Sequence, residues 1–197
     1  MNENIDIRKR SALRIAGLLG ATLAAPLLEC LLFRGAEAAE AVPLRLLNPH
    51  TSENYDVHLF VGSEWNAQGL IACDWMMRDW RQSSVVHCDR RIYAALYVLQ
   101  RYFQTKEPIQ INSGFRSRAT NEMLRSASRS ETGGRATWMT PAINSMHIHA
   151  QAVDFVIPGV SPSKTADAVW SLNLGGLGRY PTFTHMDTGL RRTWGSG

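Results

Sequence analysis

Three side chains within residues 144–155, NSMHIHAQAVDF, can do chemistry that their neighbours cannot: His147, His149 and Asp154. They stand beside Ala152, Val153 and Phe155, in a segment that otherwise reads as a buried strand. Burying charge among apolar side chains is costly unless a partner compensates it. A metal ion is one such partner, since imidazole nitrogen and carboxylate oxygen both ligate divalent cations. A hydrogen-bonded core histidine, or a solvated one, is the plainer alternative. His185 and Asp187 extend the set, two residues apart in the strand-like TFTHMDTG (182–189) and therefore on one face. Asp154 shares a face with Ala152 and Val156. His147 lies seven residues before Asp154, an odd separation that a regular strand would place on opposite faces. A turn or bulge near His149-Ala150 is needed to bring the two together. Two nitrogens and one carboxylate from adjoining strands would make a three-ligand site with an open fourth position, the catalytic arrangement for zinc.

The elements that must position these residues follow from pattern. LRLL (44–47) and YDVHLFV (55–61), separated by the turn formers of NPHTSEN, predict a β-hairpin. A helix is expected from Ser63-Glu64 to about Trp80, with Leu70, Trp75 and Met76 among its apolar positions. Asp89 caps a second helix over 90–103, where Ile92, Ala95, Leu96, Leu99 and Phe103 form a helical stripe that reads as core packing. PIQINSG (108–114) predicts a strand, and the second half of FRSRATNEMLR a helix. Residues 126–143 are rich in Ser, Thr and Gly without periodicity and read as a long surface loop. AQAVDFVI (150–157) is a strand ended by Pro158-Gly159, SPSKTADAVWSL (161–172) a capped helix, and GGLGRYP a turn into the last strand. The order implies an α+β domain with a small, mostly antiparallel sheet packed against helices.

The 197 residues provide for one domain over 42–197 and a targeting segment over 1–41. Arg8-Lys9-Arg10 precedes the apolar run 15–33, and AEA repeats at 36–38 and 39–41 offer the small residues a signal peptidase cuts. KRSALR (9–14) resembles a lysine variant of the twin-arginine export motif, so the expected location is the periplasm. An uncleaved membrane anchor is the alternative, and Pro26 and Glu29 speak against it. The net charge of +4 does not demand nucleic acid; a mildly basic surface suits an anionic polymer. Cys73 and Cys88, 15 apart, read as a disulfide in an oxidising compartment, with two free thiols as the alternative.

SMHIHAQAVD (145–154) resembles the S-x-H-x-x-G-x-A-x-D signature of zinc D-Ala-D-Ala metallopeptidases. SGFRS (113–117) and GGLGRYPTFTHMDTG (175–189) resemble the stretches that flank it there, in the same order. The narrower resemblance is to the YcbK-like murein endopeptidases, exported proteins that trim peptide cross-links in peptidoglycan. It implies a hedgehog/D-Ala-D-Ala peptidase-like fold and one zinc ion on His147, Asp154 and His185. It also implies that Arg116 binds a substrate carboxylate or steadies an oxyanion, and that peptidoglycan peptide stems are the partner. Asp187 is the remaining acidic residue for general base, with the orientation of a ligand histidine as its other role. Ala150 stands where the family has glycine, so a positive φ there would strain it. His149 is expected to face solvent, and the loop 126–143 is longer than in compact relatives, as a lid or an inert insertion. A D-Ala-D-Ala carboxypeptidase and a non-catalytic wall-binding protein of an envelope-spanning machine are the competing functions. A Cys–His hydrolase fits poorly, because Cys73 and Cys88 lie in the helical half.

Overall fold

A computed structural model describes residues 42–137 and 139–195; the expected export segment 1–41 lies outside the described residues. The chain opens with the hairpin β1 (Leu44–Asn48) and β2 (Glu53–Val57), closed by a turn in which Ser52 N–H donates to the Asn48 carbonyl at 2.8 Å. A second, two-residue hairpin follows, β3 (Phe60–Val61) and β4 (Glu64–Trp65). Helix α1 (Ala67–Met76) therefore begins later than the sequence suggested. Asn66, not Ser63, caps it, accepting from Gln68 N–H at 3.1 Å. Helix α2 (Arg90–Phe103) matches its expected span, with Asp89 accepting from Arg91 N–H at 3.0 Å. Strand β5 (Ile109–Ser113) leads to α3 (Arg118–Glu131), capped by Ser117. Strand β6 (Ala152–Val156), helix α4 (Pro162–Ser171), and strands β7 (Gly176–Arg179), β8 (Thr184–Asp187) and β9 (Arg192–Gly195) complete the order.

The fold is α+β, and its main sheet is larger than expected. Seven strands run in the order β2-β1-β5-β6-β8-β7-β9, antiparallel except for the β1/β5 and β7/β9 pairs. Two of those strands, β7 and β9, lie where a turn (GGLGRYP) is expected and where no element is expected after residue 189. The stretch 126–143 is loop only in part: residues 126–131 continue α3, and the described residues 132–137 and 139–143 form the loop.

Alternation across the sheet separates core from site. Val153 and Phe155 on β6 and Met186 on β8 are fully buried, together with Leu44, Leu46, Ile109 and Ile111. They pack with Ile92, Leu96 and Leu99 of α2 and Val169 of α4. The intervening residues Asp154 and His185 point to the opposite face and are direct cross-strand partners. Cys73 and Cys88 are free thiols, Cys73 in the core and Cys88 beneath it, so the expected disulfide is absent. Burial in apolar surroundings pushes the Cys73 thiol far up and that of Cys88 up to about 12, which makes both inert as nucleophiles.

Candidate metal centre

Sheet register alone brings two of the three candidate ligands together, through the Asp154–His185 pair of β6 and β8. His147 arrives from a tight turn just before β6. Ile148, His149 and Ala150 donate backbone N–H groups to the carbonyls of Ser145, Met146 and His147. Ala150 completes that turn with φ +55°, the left-handed conformation that glycine adopts without cost. The turn reverses the parity that a straight strand would impose, so His147 meets Asp154 on the site face. His149 points away and is exposed.

The three side chains converge closely. His147 Nε2 lies 3.3 Å from His185 Nδ1 and 3.2 Å from Asp154 Oδ2, and His185 Nδ1 lies 2.7 Å from Asp154 Oδ1. Two donors bound to one ion at roughly 2.0–2.1 Å in tetrahedral geometry sit roughly 3.3 Å apart, so this donor set fits zinc. The far nitrogens decide the tautomers. His147 Nδ1–H donates to the Gly114 carbonyl at 2.6 Å, and His185 Nε2–H donates to Asp187 Oδ2 at 3.2 Å. Both remaining lone pairs then face Asp154 and one common point, the arrangement expected when outer groups orient metal-binding imidazoles.

Asp187 is fully buried and both its oxygens are occupied. Gly176 N–H and Gly189 N–H donate to Oδ1 at 3.0 and 2.9 Å, and Arg192 donates to both oxygens at 3.2 and 2.7 Å. Burial works to raise its pKa, but the hydrogen bonds of His185 and Arg192 outweigh it and hold the carboxyl far below the ordinary range. Asp154 is likewise held low against burial, by the charges of His147 and Arg116. Burial and the Arg116 charge lower His147 to about 4, despite the pull of Asp154. His185 moves the other way, because its bonds to Asp154 and Asp187 overcome burial.

Arg116 is clamped at the edge of this cluster. Its Nη2 donates to Asp154 Oδ2 at 2.5 Å and its Nε to Ser113 Oγ at 2.7 Å. The SGFRS segment that carries it threads between two other segments of the chain: Phe115 N–H donates to the Met77 carbonyl at 2.7 Å and Arg116 N–H to that of His147 at 3.1 Å. Gly114 is required there, since a Cβ would stand 2.4 Å from the Met77 oxygen.

Above the three candidate ligands lies a cleft of about 720 Å³. One wall is α3 and the loop after it, fastened by Asn121 Nδ2 to the Ala142 carbonyl at 3.0 Å and by the Ser128–Thr140 hydroxyl contact at 3.0 Å. The other wall is aromatic. Tyr180 stacks on Phe183 with centroids 4.2 Å apart, and Trp194 Nε1–H donates to the Tyr180 hydroxyl at 3.0 Å. His147, Asp154, His185 and Arg116 line the cleft; Asp187 does not. Sequence reading missed Tyr180, Trp194 and Arg192 as parts of this site. The signals available were the place of Tyr180 within the family-like block 175–189 and the closeness of Arg192 and Trp194 to it.

Residues 36–194 match the family described as peptidoglycan L,D-endopeptidase MepK. The peptidoglycan L,D-endopeptidase MepK of Escherichia coli (strain K12) is 32% identical over 194 residues, which cover 98% of this chain and 100% of the relative. The "Probable peptidoglycan L,D-endopeptidase MepK" of Haemophilus influenzae is 34% identical over 154 residues, 77% of each chain. No solved structure matches. Match and relatives both extend across the sheet, the His147 turn and the wall of the cleft, and on that ground the chain belongs to the peptidoglycan L,D-endopeptidase MepK family.

Proposed function

We propose that this protein is a murein endopeptidase that hydrolyses an L,D peptide bond in peptidoglycan cross-links, using one zinc ion held by His147 Nε2, Asp154 and His185 Nδ1. The observation that carries the reading is the convergence of those three ligand atoms, with both imidazole tautomers fixed from outside, at the base of a cleft open to a polymer. Zinc at this point supplies Lewis-acid polarisation of the scissile carbonyl and brings the pKa of a water towards neutrality.

The protein's own groups do the rest. The Gly114 carbonyl and the Asp187 carboxylate hold the protons of His147 and His185 on the outward nitrogens. Asp187, sealed from the cleft and neutralised by Arg192, serves as a positioning residue for His185 rather than as the general base. Arg116 keeps Asp154 oriented and brings a positive charge to the cleft wall, where substrate carboxylate or oxyanion charge would sit. The Tyr180–Phe183 stack offers an apolar surface to the peptide stem. We also propose that residues 1–41 direct export to the periplasm, on the strength of Arg8-Lys9-Arg10 and the apolar run after it.

Digestion of purified peptidoglycan, resolved by chromatography and mass spectrometry, tests the reading. Uncross-linked muropeptides should appear, vanish with a chelator or with His147→Ala, and return with zinc in the wild-type protein only. Loss of a terminal alanine alone would replace the endopeptidase with a carboxypeptidase.

A further inference from the structure

A second cavity, of about 200 Å³, adjoins the metal centre, and it holds a cation that the site described so far does not use. Arg81 lines it together with Arg116, Asp154, Ser113 and Asn112. The Arg81 guanidinium lies 4.2 Å over the Trp80 ring, and Trp80 stacks in turn on His50, with centroids 4.8 Å apart and planes 20° apart. His50 is held by its Nε2 against the Asn112 carbonyl at 3.0 Å. The backbone of the turn is pinned as well. Asp79 N–H donates to the Ser84 carbonyl at 2.9 Å, and the Asp79 carboxylate accepts from Arg81 N–H at 3.2 Å and Ser117 N–H at 2.9 Å.

Arg81 is thus fixed by stacking and by its backbone, yet among the described residues no oxygen accepts from its guanidinium. That group carries five donors, and with the side chain only partly buried they reach solvent and stay available to a ligand. Arg116 spends Nε on Ser113 and Nη2 on Asp154, which leaves Nη1 without an acceptor among the described residues. The two guanidinium groups are near enough that, after burial, the charge of Arg116 is what most lowers the Arg81 pKa. Two arginines facing one cavity, Arg81 with its guanidinium donors free and Arg116 with Nη1 left over, make a fork for an anion.

We propose that Arg81, acting with Arg116, binds the free α-carboxylate on the leaving side of the scissile bond and so determines substrate specificity. The proposal rests on the endopeptidase reading. When one amine of meso-diaminopimelate is acylated in a cross-link, the carboxylate on that same carbon stays free, two bonds from the scissile nitrogen. It must therefore lie beside the metal centre, and Asp154, which lines both cavities, marks where they meet. Arg81 is a substrate-binding residue here and takes no part in proton transfer.

The test uses the zinc-loaded full chain and two synthetic cross-linked diaminopimelate peptides, identical except that the leaving-side α-carboxyl is a free acid in one and a carboxamide in the other. The wild type should prefer the acid. Arg81→Gln should raise KM for the acid on the order of 10- to 100-fold and leave the amide within about twofold, while Arg81→Lys recovers part of the loss. Equal losses on both peptides, or none on either, would overturn the assignment. Zinc content and thermal melting confirm that each variant is folded. If the wild type cleaves neither peptide, the endopeptidase reading fails, and calorimetry with meso-diaminopimelic acid and its monoamide decides the arginine site separately. Binding of the acid at least tenfold tighter than the amide in the wild type, and equal in Arg81→Gln, sustains it; no difference in the wild type overturns it.

Discussion

Asp187→Asn separates the two roles open to this carboxylate. The substitution keeps the volume and an oxygen that can accept from Gly176 and Gly189, but it turns an NH₂ towards the donors of His185 and Arg192. His185 Nε2–H then loses its acceptor, and the tautomer that presents Nδ1 to the metal is no longer favoured. Loss of such an outer partner weakens metal binding by roughly 10- to 100-fold, about 1.4–2.7 kcal/mol. The assay is a zinc titration against a competing chelator, followed by turnover of a cross-linked peptide at saturating zinc. A positioning role predicts weaker zinc binding and a kcat that returns to within about tenfold of wild type once the site is filled. Unchanged zinc affinity with kcat lowered by roughly 10²–10⁴ at full occupancy would refute it and make Asp187 the base.

Zinc binding should be proton-linked through His185, whose pKa is raised, while His147, lowered to about 4, is already neutral at neutral pH. Affinity should therefore tighten as pH rises through the His185 value and level off above it, and calorimetry in two buffers should detect proton release below that value. In the metal-free protein the same shift stabilises the fold fully below about pH 6.5, and the contribution is lost as pH rises through the raised value, which melting against pH will show. Gly114→Ala should cost about 1–3 kcal/mol, because the new methyl meets the Met77 backbone, and should weaken zinc binding by displacing the carbonyl that orients His147; denaturant melts and zinc titration check both. Ala150→Gly should stabilise by about 1 kcal/mol or less, since relief of a left-handed alanine (about 1–2 kcal/mol) exceeds the entropic cost of glycine (about 0.5–1), and a lowered Tm would contradict the strain assigned to that turn.

Much of the site was legible because strand parity is a local property. Alternation put Asp154 on a face with Ala152 and Val156, and His185 on a face with Asp187, and the odd spacing of His147 called for a turn of the kind that Ala150 makes; the pairing of Asp154 with His185 came only with the sheet register. Helix α2 was legible for a similar reason: a cap and an apolar stripe fall within one segment. The rest depended on distant contacts. Strand β7 is written in glycines, whose value lies in how closely β7 passes Asp187 on β8, and no propensity records that. The last turns of α3 carry serines and arginines without an apolar stripe, so a polar helix beside the cleft reads as loop. The seal around Asp187 comes from Gly176, Gly189 and Arg192, and without it a lone acidic residue passes for a general base. Arg81 acquires meaning only through Trp80, His50 and Arg116, which meet from separate elements.

The most direct test of the account is a stepwise zinc titration of chelator-stripped protein, with hydrolysis of a cross-linked peptide as the readout. Activity should be absent without metal, rise linearly to one equivalent of zinc and then stay flat, with no recovery in His147→Ala. Hydrolysis by the stripped protein, or full recovery in His147→Ala, would contradict a catalytic zinc on His147, Asp154 and His185.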